Sequence, residues 1–270
     1  MVVIIFPLVA HRGQTSSSTL LDYMSETIEQ ERGVPPLGYW EESARPLVSL
    51  IFVIPLLAIY EIGVVLLGPQ ALRNGVDVWL RTFLEAIGFG QYLLLPVLTI
   101  CFLLGWHHMK RQRWTVTPRV LPLMLLESAI LGLLLLGFAH WLAAVMDLEV
   151  AAGTEPALPS EIVRQMIAYA GAGIYEELLF RLILIPVLWQ VLAMFGVQKV
   201  PAAIGAVLLS SLIFSAVHYD FVTAAGDSFE WYSFTFRFLA GVVFACLFAF
   251  RGFGIAAVTH ALFNMFTLIE

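Results

Sequence analysis

Glu176 and Glu177 stand side by side in a strongly apolar run that also holds Arg181. A charge near the centre of a membrane helix costs roughly 2.5–3.5 kcal/mol on insertion scales, so an intramembrane ionisable cluster is a functional-site hypothesis by default. Residues four apart share one helix face. Glu177 and Arg181 form one such pair, with the acid on the favoured N-terminal side. Phe214 and His218 form a second, and His260 and Asn264 a third. Three separate apolar segments therefore each present a polar face, and such faces meet in the interior of a bundle.

The two glutamates divide the work. Glu177 is the ion-pair partner of Arg181. Glu176 is turned about 100° away and has the apolar Leu179 and Phe180 at its i+3 and i+4 positions. A carboxylate in such surroundings suits a general base. A water held between Glu176 and His218 could lose a proton and attack a carbonyl, with His260 and Asn264 donating to the oxyanion. Ser210, Ser211 and Ser215 lie near His218, but hydroxyls in membrane helices usually bond their own backbone. Two glutamates and two histidines could in principle hold zinc. His-Glu-x-x-His is absent, however, and Arg181 beside Glu177 opposes a cation. No metal and no cofactor is expected.

The elements that must position these groups follow from composition. The 270 residues are 60% hydrophobic and 13% charged, against about 45–50% and about 25% in soluble domains. This predicts an all-α, polytopic transmembrane bundle with a polar cavity inside it. A bilayer core about 30 Å thick needs about 20 apolar helical residues. On that basis about seven spans are expected, near 47–68, 86–106, 120–146, 162–196, 201–219, 233–250 and 254–269. The fourth is too long for one straight crossing, so a kink at Pro186 or a break after Arg181 is expected. Gly252 and Gly254 mark a tight turn before the seventh. Residues 1–46 read as a flexible extramembrane arm, 47–146 as three N-terminal spans and 147–270 as the catalytic core. Lys110, Arg111, Arg113 and Arg119 cluster between the second and third spans. The positive-inside rule puts them, and the N-terminus, in the cytoplasm. Cys101 and Cys246 read as small buried hydrophobes. A net charge of −6 without a basic run excludes nucleic acid as a partner.

Glu176-Glu177-x-x-x-Arg181, Phe214-x-x-x-His218 and His260-x-x-x-Asn264 resemble the three motifs of the CPBP intramembrane glutamic endopeptidases, the family that includes type II CAAX prenyl proteases. They occur in order, in separate segments, over residues 176–264. Leu182 stands where the family often has glycine. The resemblance implies a metal-free helical-bundle protease of the cell membrane. In it Glu176 and His218 would activate water, His260 and Asn264 would hold the oxyanion, and Glu177, Arg181 and Phe214 would support the site. Its substrates would be membrane-associated polypeptides, prenylated or otherwise lipidated. Two other readings fit the same residues: a non-catalytic binding or immunity scaffold of that family, and a proton-coupled transporter.

Overall fold

A computed structural model describes residues 37–90, 93–146, 158–222 and 226–269. The chain divides into two compact units, Met1–Tyr39 and Trp40–Glu270; the second is described below. Residues 1–36 of the expected arm lie outside the described residues, as do residues 147–157 at the start of the expected catalytic core. The protein is an all-α, multi-pass membrane bundle. Among the described residues five helical stretches are long and apolar enough to cross a bilayer, and two shorter apolar helices accompany them.

The helices are α1 (Tyr39–Ser43), α2 (Pro46–Leu67), α3 (Gly75–Ala86), α4 (Leu94–Met109), α5 (Val120–Val145), α6 (Pro159–Glu177), α7 (Ile185–Met194), α8 (Lys199–Ala216), α9 (Trp231–Arg251) and α10 (Phe253–Phe266). Long apolar runs explain α2, α5 and α9, with Ile59, Ile62 and Leu66 of α2 and Leu126, Leu133 and Leu134 of α5 exposed on the outer surface. Lipid makes such exposure free of cost. The expected second span is shorter than its apolar run. Residues 75–86, which precede it, form α3, a separate amphipathic helix that Asn74 caps by accepting from the Val76 and Asp77 amides.

The central pair is α6 and α10. Helix α10 packs against α2, α5, α6 and α9, and α6 also packs against α2 and α3. At 14 residues α10 is about 21 Å long, short of a full crossing, and Phe253 to Ala261 are all buried. Small residues let the pair approach closely. A Cβ on Gly173 would lie 2.4 Å from the Ala257 carbonyl oxygen and 2.8 Å from the Ala261 Cβ. Gly252, at φ +84°, makes the turn from α9 into α10, a conformation that favours glycine.

Three expectations change. The long fourth segment does not break after Arg181. It runs as one helical rod in which a π-helical stretch, Leu178–Leu184, joins α6 to α7. The extra residue per turn absorbs the register change upstream of Pro186. His218 lies just beyond the end of α8, not within it. Cys101 and Cys246 are exposed, free thiols, because their helix faces look outward. Two further acids within apolar helices, Glu61 of α2 and Glu127 of α5, both find partners across helices. Glu127 takes a bidentate pair from Arg251 at 2.6 and 2.7 Å, and Glu61 bonds Arg81 at 3.0 Å as well as Tyr175.

Candidate active site

Glu176 and Glu177 end α6, at the point where the α-helix gives way to the π-helical stretch. Both are buried. Glu177 Oε1 meets Arg181 Nη1 at 3.1 Å and His260 Nδ1 at 2.8 Å. A carboxylate oxygen can only accept, so His260 Nδ1 carries a hydrogen there. The Arg181 guanidinium is fully enclosed. It donates to the Gly241 carbonyl at 3.3 Å and lies 4.4 Å from the centre of the Phe214 ring. Phe214 in turn sets its ring edge-on to His218 and His260, at centroid distances of 5.0 and 6.0 Å. The residues expected to support the site are thus in contact with those expected to act.

Glu176 is held differently at its two oxygens. Oε1 accepts from Asn74 Nδ2 at 2.7 Å. Oε2 is buried and has no hydrogen-bond partner among the described residues. It faces His260 Nε2 at 3.7 Å and His218 Nε2 at 4.0 Å, both beyond a direct hydrogen bond. His218 Nδ1 donates to the Phe214 carbonyl at 2.7 Å. A carbonyl only accepts, so in the neutral ring the Nε2 of His218 is the acceptor. The His218 carbonyl accepts from the Asp227 amide at 2.8 Å, which ties the residue down past the helix end.

One cavity of about 460 Å³ is lined by Glu176, His218, His260 and Asn264, together with Arg73, Asn74, Arg237, Phe214 and Phe244. The four residues expected to carry the reaction thus share one chamber, reached from α6, the end of α8, and α10. Phe244 stacks on His260 at 4.4 Å. A larger apolar groove of about 920 Å³ lies on the opposite face of α6 and α10, lined by residues such as Phe52, Ile167 and Val258. It brings no titratable group together. Among the described residues no cluster of three or more His, Cys, Asp or Glu side chains could hold a metal ion.

Asn74 is the member that sequence reasoning missed. It sits outside every apolar run, 102 residues before Glu176, and belongs to no helical-spacing pair. The signal was local: an Asn-Gly step opening an amphipathic segment marks a helix cap. Nothing in that cap says which acid its amide will reach.

Residues 158–266 match the model of a family described as type II CAAX prenyl endopeptidase, Rce1-like. No curated protein and no solved structure matches the chain significantly.

Proposed function

We propose, from the match of residues 158–266 to a family of type II CAAX prenyl endopeptidases, that this chain is an intramembrane glutamic endopeptidase. It hydrolyses peptide bonds of membrane-associated or lipidated polypeptides with a water activated by Glu176, and without a metal.

One observation carries the reading: a buried, unpartnered Glu176 Oε2 facing two imidazole nitrogens across gaps of 3.7 and 4.0 Å. Oε2 and neutral His218 Nε2 both accept. A water between them would direct its two hydrogens at these groups and keep an oxygen lone pair for attack. As that oxygen bonds to the substrate carbonyl carbon, Glu176 takes the proton. The carbonyl oxygen becomes an oxyanion, and Asn264 Nδ2–H and the Nε2–H of protonated His260 receive it. Glu177 accepts from His260 Nδ1 and so orients the ring with Nε2 toward the cavity, as a carboxylate orients a catalytic histidine. Glu176 then passes its proton to the leaving amine as the C–N bond breaks. The products are a new carboxyl terminus and a free amine.

The decisive experiment uses the full chain, purified and reconstituted in lipid vesicles with lipidated peptides. Wild-type protein is expected to cleave and Glu176→Gln to lose cleavage while keeping its helical content. Chelators are expected to leave the rate unchanged. Cleavage that survives Glu176→Gln, or that chelators abolish, rules the mechanism out. A folded wild-type protein that binds peptides without cutting them favours the scaffold reading instead.

A further inference from the structure

We propose that Asn74, the residue that caps α3, is a positioning residue for Glu176 and determines which of its oxygens receives the proton. The inference rests on the reading of Glu176 as the base.

The cap defines the orientation of the Asn74 amide without reference to Glu176. Its Oδ1 accepts from the Val76 amide at 3.0 Å and the Asp77 amide at 3.4 Å. The oxygen end is thereby committed to the helix, and Nδ2 is the end left to face the cavity. There it donates to Glu176 Oε1 at 2.7 Å. A carboxylate has two equivalent oxygens, and rotation about its last bond exchanges them. A fixed donor on one oxygen removes that equivalence. Oε1 is occupied, and Oε2 is turned to His218 and His260.

Asn74 can act as a fixed donor because its surroundings are tied on both sides. Its backbone amide donates to Tyr60 Oη at 3.3 Å, and Tyr60 Oη donates to Asp77 Oδ2 at 2.8 Å. Asp77 also receives Arg73 at 3.0 Å and Arg81 at 2.5 Å. Arg81 reaches Glu61 at 3.0 Å, and Glu61 bonds Tyr175, the residue next to Glu176. This buried network links α2, α3 and α6 around the catalytic acid. Among the described residues the other charged or titratable groups near Glu176 are Glu177 and Arg181 on its own rod, His218 beyond α8, His260 on α10, and Arg73, Tyr169, Tyr232 and Arg237 on the cavity wall. Asn74, its hydrogen-bond partner, lies outside residues 158–266.

Asn74→Asp separates positioning from capping. Aspartate caps a helix as well as asparagine does, but it presents a carboxylate oxygen where the Nδ2 donor stood. Asn74→Ser also caps and simply lacks the donor. Asn74→Ser is expected to keep the wild-type unfolding temperature, whereas Asn74→Asp, which sets a second carboxylate against Glu176, is expected to lower it. Both are expected to lower kcat by about 10–100-fold, the worth of a charge-assisted hydrogen bond, with KM little changed. A merely structural residue would instead leave kcat per folded molecule intact.

Infrared spectroscopy supplies a readout independent of turnover. The carboxylate stretching band lost in Glu176→Gln is expected to shift in both Asn74 variants. An unmoved band overturns the proposal, and so does a moved band with kcat unchanged. If the wild-type protein cleaves no peptide, an unmoved band still removes the contact. A shifted band in that case leaves the contact standing and the proteolytic reading as the one that fails.

Discussion

At the scale of single residues, the site is a set of buried charges held by one another. Glu177 serves two partners at once, Arg181 at 3.1 Å and His260 at 2.8 Å. Removing one member of a buried pair typically costs about 3–5 kcal/mol because the other is left unpaired. Glu177→Gln is therefore expected to lower the unfolding temperature in detergent and to abolish cleavage. Glu177→Gln with Arg181→Leu is expected to regain part of the stability but none of the activity. A double variant no more stable than the single one would argue against the pair. Asn264 lines the cavity without being part of this pair. If it donates to the oxyanion, Asn264→Ala should reduce kcat by about 10²–10³-fold with little change in KM. A change confined to KM would assign it to substrate binding instead.

At the scale of elements, the proposed chemistry depends on the distance between α6 and α10. These helices carry Glu176, Glu177, His260 and Asn264, and Gly173 lets them touch. A methyl group there would meet the Ala257 carbonyl at 2.4 Å. Gly173→Ala is expected to cost about 1–3 kcal/mol through overpacking. It is expected to lower activity about 100-fold, since displacements near 1 Å suffice for that. Thermal unfolding and kcat measured on the same preparation test this, and a variant with wild-type values for both would show that the rods tolerate separation. The π-helical stretch does related work one turn further on. It widens the rod immediately after Glu177, while Arg181 still reaches back to that acid.

At the scale of the whole molecule, buried arginines clamp separate elements to one another. Arg45 is buried against Glu42 at 2.9 Å and the carbonyl of Thr115 at 2.9 Å. Arg251 pairs with Glu127 and stacks on Trp40 at 3.7 Å. These clamps fasten α1 and the start of α2 to the basic connection between α4 and α5. We propose from the positive-inside rule that this connection faces the cytoplasm. Arg111→Cys in a background of Cys101→Ser and Cys246→Ser is expected to react with an impermeant maleimide from the cytoplasmic side alone. Labelling from the outside would invert the topology.

The sequence by itself determined the bundle and the candidate chemistry. Apolar runs of 20 or so residues leave few alternatives to membrane helices. Glu177–Arg181, Phe214–His218 and His260–Asn264 were legible because each pair lies within about one helical turn, where spacing along the chain translates directly into a shared face. Tertiary structure decided what joins one helix to another. It put Glu177 on His260, Asn74 on Glu176, Glu61 on Arg81 and Glu127 on Arg251. It also made a 14-residue helix the centre of the fold, and it turned Cys101 and Cys246 outward. Periodicity describes the faces of one rod. Which face meets which is settled by close approach at small residues such as Gly173, and by the energetic demand that every buried charge find its counterpart.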